Sequence, residues 1–123
     1  MKKILIAEDD KFLHNILSAK LQKSGFEVVS AYDGEQAVAA IKKELPDLVL
    51  LDLIMPKKNG FEVLSDIKID PKLAKIPIIV LSNLGQESDQ TRAKEFKVAD
   101  YMVKVNFSLE EVVAKIKEHL AKK

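Results

Sequence analysis

Leu48-Val49-Leu50-Leu51-Asp52-Leu53 runs four apolar residues into a single carboxylate. An extended segment that is apolar on both alternating faces is covered on both sides, as an interior strand of a parallel sheet is. Four more short runs rich in Val, Ile and Leu fall at residues 4–7, 26–31, 76–81 and 101–105, and each reads as a strand. The third strand is read as residues 48–53, with Asp52 at its carboxyl end.

Between these runs the apolar spacing turns helical. Leu13, Leu17 and Leu21 recur every fourth residue, with Phe12 and Ile16 beside them, and Gly25 closes the stretch. Asp33 caps a second helix that turns Ala37, Val38 and Ile41 inward and stops at Leu45-Pro46. Asn59 caps a third, carrying Phe61, Val63, Leu64 and Ile67. A fourth, residues 86–96, is the most polar. Ser108-Leu109-Glu110-Glu111 is a capping box opening a fifth, whose inner face is Leu109, Val112, Val113, Ile116 and Leu120.

Five strands alternating with five helices predict an α/β fold, a doubly wound five-stranded parallel sheet. The runs around Glu27 and Lys104 are more mixed than those around Leu50 and Ile79, as edge strands are. With right-handed crossovers this gives the strand order 2-1-3-4-5 and a switch point between the first and third strands. Residues 1–123 are read as one domain with no output domain.

Composition narrows the chemistry. Apolar residues make up 47% and charged residues 32%, so a buried core needs no covalent staple. The absence of cysteine excludes disulfides, thiolate metal sites and a cysteine nucleophile. Twenty basic against 19 acidic residues give a net charge of +1, which supplies no bulk attraction to nucleic acid or an anionic membrane. No apolar run reaches membrane-spanning length, and a cytoplasmic location is expected. No glycine-rich phosphate loop is present.

In a sheet of this order, ligands sit beyond the carboxyl ends of the strands. The first strand ends in Glu8-Asp9-Asp10, the third at Asp52, the fourth at Ser82 and the fifth near Lys104. Any one of these residues alone has an ordinary reading as a cap, turn or solvated side chain, and Asp10 keeps its reading as a helix N-cap. Gathered at one edge, the carboxylates repel one another unless a cation compensates them. Hard oxygen ligands without a histidine or cysteine cluster suit Mg²⁺. Asp52 is then an oxygen nucleophile, Lys104 a point charge for a phosphoryl oxygen, and Ser82 a hydroxyl able to turn towards a modified group. His14 and His119 lack a second nearby ligand in sequence and are not assigned to metal. The basic run 117–123 reads as a solvated helix end.

These motifs match a known family in combination: Ile-Leu-Ile-Ala-Glu8-Asp9-Asp10, Leu-Asp52-Leu-Ile-Met55-Pro56 with Asn59-Gly60, Val-Leu-Ser82-Asn, and Asp-Tyr101-Met-Val-Lys104. From about Lys3 to Leu120 the chain resembles the receiver domain of bacterial two-component response regulators, and is similar to the single-domain chemotaxis regulator. The resemblance implies a flavodoxin-like fold and a phosphoacceptor signalling domain that is not otherwise an enzyme. It implies that Asp52 is phosphorylated, that Glu8 and Asp9 hold Mg²⁺ with Asp52, and that Ile54 adds its backbone carbonyl. Ser82 and Tyr101 fall on the switch positions, and Lys104 on the family lysine. The implied phosphodonor is a sensor histidine kinase or phosphotransfer protein; the protein effector downstream is left open. A metal-dependent phosphohydrolase and a phosphorylation-independent interaction module remain as alternatives.

The chain departs from the family pattern twice. Val105-Asn106-Phe107 follows Lys104 where the family has proline, which leaves the isomer of the Lys104–Val105 bond open. Phe96-Lys97-Val98-Ala99 lacks the glycine common between the fourth helix and fifth strand, and an altered turn is expected there. Ile54 and Leu84, each two residues past a site residue, are bulky and apolar, which predicts slow hydrolysis of an acyl phosphate at Asp52.

Overall fold

The computed structural model describes residues 1–121. Five parallel strands, β1 (Lys3–Ala7), β2 (Glu27–Ala31), β3 (Leu48–Leu51), β4 (Ile78–Ser82) and β5 (Asp100–Val103), lie in the order β2-β1-β3-β4-β5. Helices α1 (Lys11–Lys23), α2 (Gly34–Glu44), α3 (Gly60–Lys68), α4 (Glu87–Glu95) and α5 (Leu109–Ala121) alternate with them. The last two residues of the 117–123 run lie outside the described residues.

Alternation along the central strands divides the interior in two. Leu5, Val49, Leu51, Ile78 and Val80 pack with α2, α3 and Ala93 of α4. Ile4, Ile6, Leu48, Leu50, Ile79 and Leu81 pack with α1 and α5. β3 and β4 are buried at every residue, whereas β2 and β5 are partly exposed, as edge strands should be. Burial of this apolar surface at about 25 cal/mol per Å² is the main force holding helices to both sides of the sheet.

Three strand ends lie two residues from the sequence expectation. β3 stops at Leu51, one residue before Asp52, because Asp52 gives its N–H to Ala7 of β1 and then leaves the ladder. β4 begins two residues later than expected, since Pro77 has no N–H to give the sheet. β5 stops at Val103, and Lys104–Asn106 form a 3₁₀ turn in place of a continued strand. The Lys104–Val105 bond is trans.

Phe12, expected beside the inner face of the first helix, is 77% exposed. It sits in the first turn of α1, beyond the reach of the core. α4 is short and polar: Gln86 precedes it without a side-chain cap, and only Ala93 of its residues is buried. The altered turn after α4 places Lys97 at φ +58°, a left-handed position where glycine carries no penalty and an L residue costs about 1–2 kcal/mol.

Two helix starts are pressed against the loop that carries Asp52. The Gly34 N–H donates to the Pro56 carbonyl at 3.3 Å, and the Gly60 N–H donates to the Leu53 carbonyl at 3.0 Å. A Cβ at Gly60 would stand 2.6 Å from the Asp52 carbonyl oxygen and 2.6 Å from the Leu53 Cα, both backbone atoms. Gly60→Ala should therefore cost about 1–3 kcal/mol in chemical denaturation, the range of an overpacked core. Unchanged stability would mean that the loop yields freely.

Candidate phosphoacceptor and metal site

The carboxyl ends of β1, β3, β4 and β5 converge on one acidic cleft. Glu8 follows β1 and is 3% exposed; Asp52 follows β3 and is 4% exposed. Asp9, the next residue along, is exposed at the rim. One oxygen from each of Glu8, Asp9 and Asp52 lies within 4.8 Å of the others. Asp10 faces away from this group: its Oδ1 accepts the Phe12 and Leu13 N–H groups at 3.1 and 3.2 Å and caps α1.

Lys104 enters from the turn after β5. Its ammonium lies 2.6 Å from Glu8 Oε1 and 2.9 Å from Asp52 Oδ2. The other Asp52 oxygen, Oδ1, accepts the Ile54 N–H at 3.1 Å, so the carboxylate is held in plane by both ends. Glu8 is similarly fixed, with Oε2 accepting the Asp10 N–H at 3.1 Å.

Burial pushes the Glu8 carboxyl up to about 7, with the Asp52 charge adding to the rise and Lys104 opposing it. Burial also opposes the Lys104 charge, but hydrogen bonds to Glu8 and Asp52 raise its pKa above the ordinary lysine value. Two carboxylates thus share one ammonium in a cleft that still has Asp9 at its open side. The oxygen-only donor set and its close spacing suit a small hard cation such as Mg²⁺.

Ser82 ends β4 fully buried, and its Oγ accepts the Leu84 N–H at 3.4 Å. The carbonyl of the same Leu84 accepts the Tyr101 hydroxyl. Ser82 and Tyr101 therefore hold opposite sides of one residue in the β4–α4 loop. Burial pushes the Tyr101 phenol up to about 12, helped by the charges of Asp89 and Asp52. Ile54 is 53% exposed beside the cleft, and Leu84 is partly buried.

One neighbour was not apparent from spacing alone. His14 is fully buried on α1, its Nδ1 lies 2.9 Å from the Glu8 carbonyl oxygen, and its ring stacks on Tyr32 at 4.3 Å between centroids. A neutral ring donating from Nδ1 satisfies that carbonyl and leaves Nε2 unpartnered among apolar neighbours, and burial lowers the His14 pKa. The available signal was its place one helical turn after Asp10, on the face shared with Leu17 and Leu21.

The profile of the response regulator receiver domain matches residues 4–117. The chain belongs to this family. The receiver is 40% identical over 119 residues to a protein of Porphyridium aerugineum described as a probable transcriptional regulator, ycf27. That alignment covers 97% of the receiver and 48% of the relative, so the chain spans about half the relative's length. Among solved structures, the phosphorylated cyanobacterial phytochrome response regulator RcpA is 40% identical, with a TM-score of 0.77, over 83% of this chain and 79% of that one. The Mn²⁺-bound response regulator Rcp1 is 36% identical, with a TM-score of 0.77, over 84% and 81% of the two chains. The receiver is thus a signalling domain of two-component systems, with the family's fold. Among the described residues, no helix is long and apolar enough to cross a membrane.

The Tyr101 environment has a pH consequence. The folded-state pKa lies above the ordinary 10.0, so the stability tied to the neutral phenol is intact below pH 10. It is lost as pH rises towards 12. Ultraviolet titration should give one phenol ionising near 12 that disappears in Tyr101→Phe. Identical titration midpoints for both tyrosines would contradict the partly buried, negatively charged setting of the Tyr101 phenol.

Proposed function

We propose that Asp52 of this receiver domain accepts a phosphoryl group and thereby changes a partner-binding surface. The observation that carries this reading is the double contact of the Lys104 ammonium with Glu8 and Asp52, beside the exposed carboxylate of Asp9. It supplies a nucleophile, a charge donor and a cation site within one cleft. Relatives in a phosphorylated form and in a Mn²⁺-bound form support the same chemistry.

Glu8, Asp9 and Asp52, with the Ile54 carbonyl, would hold Mg²⁺. The bound cation would neutralise the carboxylates and draw charge from the phosphoryl oxygens. Asp52 attacks the phosphorus of a phosphohistidine on a sensor kinase or phosphotransfer protein. A P–O bond forms, the P–N bond breaks, and the departing imidazole keeps the electron pair and takes a proton from solvent. Lys104 turns from the carboxylate pair to an oxygen of the arriving group, a compact charge on a flexible stem.

The hydroxyl of Ser82 is the nearest switch. To meet the phosphoryl group it gives up its contact with the Leu84 N–H, and the Leu84 carbonyl is what Tyr101 donates to. A shift of residue 84 therefore changes where Tyr101 rests. Tyr101, Leu84, Phe96 and Val98 each pack against the same core cluster, so a shift at residue 84 would alter the face of α4 and β5 together. This is a two-state equilibrium biased by a local charge event. A cytoplasmic location follows from a kinase donor of this kind.

Incubation with acetyl phosphate and Mg²⁺ should add one phosphoryl mass that survives acid and is lost in base. Asp52→Asn should not take it up; equal labelling would sink the assignment. On the same samples the label should decay faster in Ile54→Asn, because the exposed isoleucine side chain beside the cleft hinders an attacking water.

A further inference from the structure

At the end of the sheet opposite Asp52 lies a cavity of about 510 Å³, in the range of small-molecule sites. It opens where Pro77 leads into β4 and Ala99 leads into β5, between the carboxyl ends of α3 and α4. Lys68, Lys75 and Lys97 line it, against the single carboxylate of Glu95. None of the three lysines is paired with a carboxylate among the described residues.

The two halves of the wall differ in chemistry. Ile76, Pro77 and Phe96 give it an apolar side. On the other side, the Lys68 ammonium donates to the Ala74 carbonyl at 3.1 Å. Burial and the charge of Lys97 both lower the Lys68 pKa, so that ammonium lacks a counter-charge. Lys97 is held at φ +58°, where glycine would relieve the backbone. Two cations are thus kept close together, one of them on a strained backbone, without an internal anion to satisfy them.

We propose that this cavity binds a small organic anion, its phosphate or carboxylate head against Lys68 and Lys97 and a flat apolar body against Ile76, Pro77 and Phe96. Charge complementarity selects the head, because three ammonium groups face one carboxylate. The apolar wall selects the body, because a simple hydrated anion gains nothing from it. Ile76 and Phe96 of this wall pack against the same core cluster as Leu84 and Tyr101. The binding itself is independent of phosphorylation at Asp52.

The test uses the whole chain with EDTA present, so that no divalent cation recruits the probe to the acidic cleft. Phenyl phosphate, inorganic phosphate and phenol are titrated separately, followed by calorimetry and by amide resonances. Phenyl phosphate should bind saturably and shift the resonances of Ile76, Phe96 and Lys97. Affinity should fall about fivefold or more in Lys68→Gln and in Lys97→Gly, the latter removing a charge while easing the backbone. Absence of saturable binding, shifts centred on Glu8 and Asp52, or wild-type affinity in either variant overturns the site. Inorganic phosphate or phenol binding as tightly as phenyl phosphate overturns the two-part character of the ligand.

Discussion

The Lys104 ammonium holds the functional end of the molecule together. Glu8 and Asp52 are nearly fully buried, and burial beside the Asp52 charge raises the Glu8 pKa. A single ammonium 2.6 and 2.9 Å from them makes the metal-free arrangement tolerable. Removing one partner from a buried ion pair costs about 3–5 kcal/mol in general, because the remaining charge is left uncompensated. The same dependence makes the site responsive. A second cation, or a phosphoryl group that gave Lys104 a new partner, would redistribute contacts that are already in place.

The fold delivers these groups through strand length and register. β1 pairs with β3 so that Ala7 lies beside Leu51, which sets Glu8 and Asp52 side by side. β4 pairs with β5 so that Ser82 lies beside Val103, one residue before Lys104. The glycine starts of α2 and α3 then press on the loop between Asp52 and Asn59, leaving no space for a Cβ. Packing of these helix starts thus confines the loop that follows Asp52. The loop after β4 shows the same economy of parts, since Ser82 and Tyr101 both hold residue 84.

Much of this was legible from order along the chain. Runs such as residues 48–51, apolar on both faces, and the capping signals at Asp10, Asp33, Asn59 and Ser108 mark elements through local physics, and the strand order follows from which runs are mixed. The acidic cluster was legible because strand ends in such a sheet are brought together by topology. The rest depends on details that apolar spacing does not carry. The turn at Lys104–Asn106 and the left-handed backbone at Lys97 leave no periodic trace, and the place of His14 on the Leu17 face does not reveal that its ring meets the Glu8 carbonyl. The lysine-lined cavity is assembled from the ends of two helices and the entries to two strands, so spacing could not reveal it.

The most direct measurement is Mg²⁺ affinity in Lys104→Met, read beside the rate of Asp52 labelling by acetyl phosphate. If the ammonium occupies the carboxylate pair in the resting state, its removal strengthens Mg²⁺ binding, because one competing cation is gone. The labelling rate should nevertheless fall about tenfold or more, since the arriving phosphoryl group loses a charge donor. Weaker or unchanged Mg²⁺ binding, or labelling at the original rate, would contradict the account.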